Sequence, residues 1–182
     1  MSARRINMQP SLAASLYNDA LLLADEARGW FDRALVSQPL RSGTGVHAAL
    51  IASQEDGDAE TLALQNWHAR SDPALRIALS CESLRLTTRL MHIIAWLLLQ
   101  RAIASGELAA DAASLPANRL GPSPHIDDAL IAQLPSAAQR LIGQSRDLYR
   151  RVASLESAQA QVDAPSEPPV VARFFAQLQA AF

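Results

Sequence analysis

Apolar residues return every third or fourth position in three long stretches of the chain, and the two-residue alternation of a surface strand is nowhere seen. In the first stretch Leu16, Ala20, Leu23, Ala27, Trp30 and Ala34 step by four and three, placing them on one face of a helix predicted over about 11–36. Gly29 lies inside it at some cost in helix propensity, and Pro39 with the following RSGTG closes it. The third stretch is the most regular. Leu134, Ala138, Leu141, Ser145, Leu148, Val152 and Leu155 repeat four–three without a break, which predicts a helix over about 135–158 with the spacing of a bundle seam.

The middle stretch has the clearest ends. Asp72 suits an N-cap, Pro73 suits the first helical position, and Gly106 is a natural stop, so a helix is predicted over 73–105. At ~1.5 Å per residue it is roughly 50 Å long. One apolar stripe runs through Leu75, Leu79, Leu86, Leu90, Ile93, Leu97 and Ala104. A second, on nearly the opposite side, holds Ile77, Leu84, Met91, Ala95, Leu98 and Ala102. A helix with two apolar faces needs cover on both, which three helices cannot easily supply, so a homodimer with this helix or its neighbours in the interface is expected.

The connections differ in composition. Residues 37–71 contain SGTG and the acidic EDGDAE, with one helical piece expected from Glu60 to His68. Residues 108–133 are broken by Pro116, Gly121, Pro122 and Pro124, leaving room for a short helix after Pro124. From Gln161 the sequence VDAPSEPP has little to bury, and a flexible tether is expected there. The expected fold is therefore all-α: an antiparallel three-helix bundle with a long central helix over residues 1–160, followed by a flexible C-terminal tail over 161–182 with a short amphipathic end.

Composition narrows the chemistry. The formal net charge is −2, so no basic field draws the chain to nucleic acid or an anionic membrane. All 16 basic residues are arginine, which removes Schiff-base lysines and the phosphate-loop lysine. A single cysteine, Cys81, allows no intrachain disulfide and fits a reducing compartment. The N-terminal MSARRINMQPSLAASL lacks the apolar core of a signal peptide. The longest apolar run, Leu90–Leu99, is interrupted by His92 and is far short of the ~20 residues of a membrane span. A cytoplasmic protein is expected.

Candidate catalytic and metal sites do not emerge. His47, His68, His92 and His125 are far apart in sequence and fit no ligand pattern; Gly43 and Gly45 form a lone GTG with no strand before it. Asp56, Asp58 and Glu60 lack the spacing of a calcium loop, and Cys81 has no histidine near it in sequence. No catalytic residue, metal or cofactor is expected. The informative polar residues are those of the central helix. Glu82, Arg85, Arg89, Trp96 and Gln100 fall along one edge between its two apolar stripes, with Glu82 and Arg85 spaced to pair. They read either as a structural network fixing the register between helices or as a protein-docking edge, since arginine and tryptophan anchor interfaces. In the tail, Phe174, Phe175, Leu178 and Phe182 return to helical spacing after the Pro-rich tether. They suit a helix laid into a partner's groove, or one folded back on the bundle.

At this point the central helix resembles a known family. ESLRLTTRLMHIIAWLLLQRAIASGEL, from Glu82, is similar to the signature segment of the RcdA family, regulators of CtrA degradation in bacteria. The stretch LPSAAQRLIGQSRDLYRRVASLES is similar to that family's third helix, SLYNDALLLADEARGWFD resembles its first helix more distantly, and PVVARFFAQLQAAF loosely resembles its C-terminal end. Residues 37–71 fall outside the resemblance. It implies a dimeric three-helix bundle without catalytic activity. It also implies an adaptor that helps the ClpXP protease receive clients such as cell-cycle transcription regulators, alongside other adaptors and response regulators. The residues expected to make protein contacts are Glu82, Arg85, Arg89, Trp96 and Gln100 on the bundle and Phe174, Phe175, Leu178 and Phe182 on the tail. The alternative is a dimeric helical nucleic-acid-binding or transcription-associated protein using Arg140, Arg146, Arg150 and Arg151, against which the charge and the missing lysines weigh.

Overall fold

The structure, a computed structural model, describes residues 10–36, 59–123 and 127–163. Among these the chain is helical with no strand, as the periodicities require. Three long helices carry it: α1 (Pro10–Val36), α3 (Pro73–Ala104) and α5 (Ser136–Asp163), each packed against the other two. A shorter helix, α2 (Ala59–Arg70), precedes α3, and a single turn, α4 (Asp128–Ile131), precedes α5. Two short 3₁₀ segments, Ala110–Ser114 and Pro116–Asn118, lie in the connection between α3 and α5.

Helix ends follow the local chemistry. The Asp72 side chain accepts a hydrogen bond from the Leu75 amide at 2.8 Å, so it caps α3 while Pro73 occupies a position whose N–H would have had no partner. At the far end Gly106 takes φ +78°, a left-handed conformation that glycine reaches without a Cβ penalty. The amide of Glu107 then returns to the Ala102 carbonyl. α5 runs to Asp163, so the helix continues three residues past the point where a flexible tail was expected to begin.

The core is built from the expected stripes. All six residues named on α1 are buried, together with Phe31 beside Trp30. From α3 come Leu79, Leu86, Leu90, Ile93 and Leu97, and from α5 and the turn before it Leu134, Ala138, Leu141, Ser145, Leu148 and Val152. The two ends of the α3 stripe project past this core: Leu75 is half-buried and Ala104 exposed.

Helix α2 closes one end of the bundle. Leu64 and His68 are buried, a His68 ring nitrogen lies 2.8 Å from the Ala34 carbonyl, and the Trp30 indole donates to Glu60 at 2.8 Å. The Trp67 indole donates to the Gln133 carbonyl at 2.9 Å, joining α2 to the turn that starts α5.

One feature of the expected architecture is corrected. α1 is antiparallel to α5, since Glu26 meets Arg140 and Asp19 meets Arg151. α3 and α5, however, run in the same direction: Arg89 bonds Ser145, and eleven residues further on Gln100 bonds Gln159. An antiparallel pair requires only a short turn, whereas the connection from α3 to α5 is long enough to travel back along the bundle before α5 begins. It is strapped down as it does so. Tyr149 donates to the Gly121 carbonyl at 2.8 Å, Glu156 accepts from the Leu120 amide at 2.7 Å, and Arg89 donates from Nε to Ser123 Oγ at 2.8 Å. Gly121 sits so close to the His92 ring that a Cβ there would lie 2.5 Å from it. Only glycine allows that approach.

Candidate functional site

The polar row of α3 faces inward. Glu82 and Arg89 are 0% and 1% exposed, and Trp96 and Gln100 are also buried; Arg85 alone of the five reaches partly to solvent. Their spacing explains this: on a helix of 3.6 residues per turn they fall beside Leu86, Ile93 and Leu97, on the flank that α5 and the returning connection cover.

Glu82, Arg85, Arg89 and Gln100 have hydrogen-bond partners within the chain. Glu82 Oε1 accepts from Arg85 Nη1 at 2.7 Å, one turn along the same helix, while its Oε2 is buried with no hydrogen-bond partner. Arg89 donates through Nη1 to Ser145 Oγ at 2.5 Å and through Nε to Ser123, so one guanidinium clamps α3 to α5 and to the connection that crosses them. The Ser145 hydroxyl in turn donates a hydrogen bond to the Ile142 carbonyl at 2.9 Å. Burial pulls the Arg89 guanidinium below its ordinary pKa, and the Glu82 carboxylate opposes that pull. Gln100 Oε1 accepts from Gln159 Nε2 at 3.2 Å, and Gln100 Nε2 is left without a partner. The row thus sets the direction and register of α5 against α3, which is the structural one of the two readings open from sequence. No nucleophile, base and oxyanion donor converge on it.

Among the described residues, two concavities border the bundle. One, of about 600 Å³, lies between the start of α1 and the end of α5, lined by Leu12, Leu16, Asp147, Arg150, Arg151 and Leu155. The other, of about 240 Å³, lies beside Trp96 and Gln100 under the connection, where Arg119 and Glu156 face each other at 3.9 Å. Of the two described histidines, His68 is buried against α1 and the half-buried His92 lies against Gly121. Among the described residues no group of three or more His, Cys, Asp or Glu side chains is placed to hold a metal ion. The arginines considered for nucleic acid are paired: Arg140 with Glu26, Arg146 with Asp128, Arg150 with Asp147 and Arg151 with Asp19.

A second surface lies on the outer face of α3. Ile77, Leu84, Met91 and Leu98 are 63, 69, 63 and 44% exposed. Thr88 and Ala95 between them are exposed, with Cys81 and Ala102 half-exposed. α1 and α5 cover only the opposite side. A continuous apolar stripe running nearly the whole helix is an unusual surface to leave in water, and stripes of this kind mark protein contacts.

Residues 58–182 match the model of the family described as Protein of unknown function (DUF1465). The chain belongs to the DUF1465 family. The matched region takes in α2 to α5, and so includes both faces of α3 and the polar row, while α1 lies before it. No curated protein and no solved structure matches the chain. The tail residues Phe174, Phe175, Leu178 and Phe182 lie within the DUF1465 match but outside the described residues. His47, His125, Gly43, Gly45, Asp56 and Asp58 also lie outside the described residues. No helix among the described residues is long and apolar enough to cross a membrane.

Proposed function

We propose that this DUF1465 protein is a non-enzymatic helical adaptor that works through protein–protein contacts. In the form its resemblance to the RcdA family implies, it helps the ClpXP protease receive regulatory proteins in the cytoplasm. The observation that carries the proposal is the outer stripe of α3. A helix that buries charges on its inner face and keeps isoleucine, leucine and methionine on its outer face is suited to meeting another protein. An adaptor acts by raising the local concentration of a client at the protease, and for this a rigid body with a docking face is sufficient. The tail residues Phe174, Phe175, Leu178 and Phe182 remain candidates for a second contact.

The test measures turnover. A short-lived regulator captured by the protein from bacterial extract should be degraded faster by purified ClpXP when the adaptor is added. The acceleration should fade at high adaptor excess, where client and protease are held by separate adaptor molecules. No effect on the degradation of any captured protein would end the adaptor reading. Binding of DNA whose affinity falls steeply with salt would put the nucleic-acid alternative in its place.

A further inference from the structure

The smaller concavity, beside Trp96 and Gln100, is lined by polar groups that the fold leaves unused. It lies where α3 and α5 meet the connection that returns between them. At its outer end Arg119, 57% exposed, sets its Nε 3.9 Å from Glu156 Oε1. That is a meeting of charges, too long for the ~2.7–2.9 Å of a charge-assisted hydrogen bond. Glu156 Oε1 is already taken by the Leu120 amide at 2.7 Å. The second Glu156 oxygen and the guanidinium are the groups left for a ligand.

The inner end is neutral. Gln100, 9% exposed, gives its Oε1 to Gln159 at 3.2 Å, and among the described residues its Nε2 is buried with no partner. A buried amide donor without an acceptor is unfavourable, and an oxygen brought into the cavity would relieve it. The buried Trp96 supplies an apolar wall between the two ends.

Size and spacing narrow the occupant. A volume of about 240 Å³ is below the ~300–1,000 Å³ of pockets for drug-sized ligands and equals the space of roughly eight waters at ~30 Å³ each. The ligand is therefore a metabolite of the smallest class. It presents an anion to Arg119 and, close beside it, a cation to Glu156, which is what the carboxylate and ammonium of an α-amino acid do from one carbon. Glu156 and Gln159 are one turn apart, about 4.5 Å along α5 at ~1.5 Å per residue, and an extended glutamine side chain spans that distance.

We propose that this cavity binds a free α-amino acid with an oxygen-bearing side chain, glutamine having the length and the amide that match it. Its carboxylate meets Arg119, its ammonium meets Glu156, its side-chain oxygen accepts from Gln100 Nε2, and its methylenes lie against Trp96. Arg119 belongs to the connection, Gln100 to α3 and Glu156 to α5, so the bound amino acid ties three parts of the chain together. The site is separate from the outer stripe of α3 and does not depend on the adaptor reading.

NMR titration of the isotope-labelled full chain with L-glutamine, and with L-norleucine as the analogue that lacks a side-chain oxygen, tests the site. Glutamine should shift the Trp96 indole and Gln100 side-chain amide signals saturably, with a Kd of about 1 mM or tighter. Norleucine should bind about ten-fold more weakly or worse, since it leaves the Gln100 donor unpaired. Arg119→Gln and Glu156→Gln should each weaken glutamine by about ten-fold or more with the far-UV signal retained. Glu156→Gln keeps an oxygen for the Leu120 amide, so the connection stays in place. Gln100→Leu should bring the two amino acids to equal affinity. No saturable shift up to about 10 mM glutamine would overturn the proposal. So would equal binding of norleucine by the wild type, or an Arg119→Gln chain that binds glutamine as the wild type does. None of these results bears on client turnover, by which the adaptor reading is judged.

Discussion

The two faces of α3 invert the usual relation between polarity and burial. The inner face contains Glu82, Arg89 and Gln100, all buried, while the outer face presents Ile77, Leu84, Met91 and Leu98 to solvent. The inner polar groups are tolerable because each is bonded within the chain: the charged Glu82 to Arg85 and Arg89 to two serines, and the neutral Gln100 to Gln159. Among the described residues, nothing covers the outer ones. Hydropathy alone would not choose between the two apolar stripes. What decides the matter is which side α1 and α5 cover, and the polar row is what holds α5 to that side.

Substitutions that trade the two faces against each other sharpen this contrast, beginning with the largest effect. Leu97→Asp places an unpaired carboxylate in the core among Leu90 and Ile93 and should abolish cooperative unfolding altogether. Leu84→Asp, thirteen residues away on the exposed side, should retain the parent's helical far-UV signal. If both variants unfold alike, the distinction between the faces is lost. Next is Arg89→Ala, which removes the clamp between α3, α5 and the connection and leaves Glu82 with Arg85 alone. A loss of about 2–4 kcal/mol in urea unfolding is expected, and an unchanged midpoint would show the row to be dispensable for the fold. Gly121→Ala drives a methyl group into the His92 ring and should cost about 1–3 kcal/mol. A neutral result there would mean the connection does not lie as closely over α3 as the structure places it.

The smallest effect is one of pH. Burial, with the Glu156 carboxylate adding to it, raises the Tyr149 phenol above its ordinary value of 10.0, while Arg89 acts in the opposite direction. The folded state therefore holds this proton more tightly than the unfolded chain does. The resulting stability is present below about pH 10 and is lost as pH rises through the folded-state value. Tyr149→Phe should flatten this alkaline slope and, by removing the hydrogen bond to Gly121, cost about 0.5–1.5 kcal/mol at neutral pH. The hydrogen bond to Gly121 makes the tyrosine a reporter on the inner side of α3 alone.

Much of this fold is legible in the residues. The four–three stripe of α1 is buried at every named position, the Asp72–Pro73 start of α3 and its Gly106 stop are where capping chemistry puts them, and α2 forms over the stretch around Glu60–His68. The shared direction of α3 and α5 is not legible, because helical periodicity is the same read up or down. It depends on Tyr149, Glu156 and Arg89 reaching backbone and side chains 28 to 36 residues away in a loop with no periodic pattern of its own. The polar row is visible in sequence, but its placement is not. Whether Arg89 faces water or Ser145 depends on a residue 56 positions further on. The outer stripe is as plain in the sequence as the inner one, and only the structure shows that the other described residues leave it bare.

The account stands on the claim that α3 is covered twice, once by its own chain and once by another protein, a second copy being the first occupant. The most direct measurement is the solution mass of the full chain at tens of micromolar, set beside that of Leu84→Asp combined with Met91→Asp. The account predicts twice the 19.6 kDa chain mass for the wild type and the single-chain mass, with helicity retained, for the double variant. A wild type that sediments as one chain, or a double variant that still sediments as two, would contradict it.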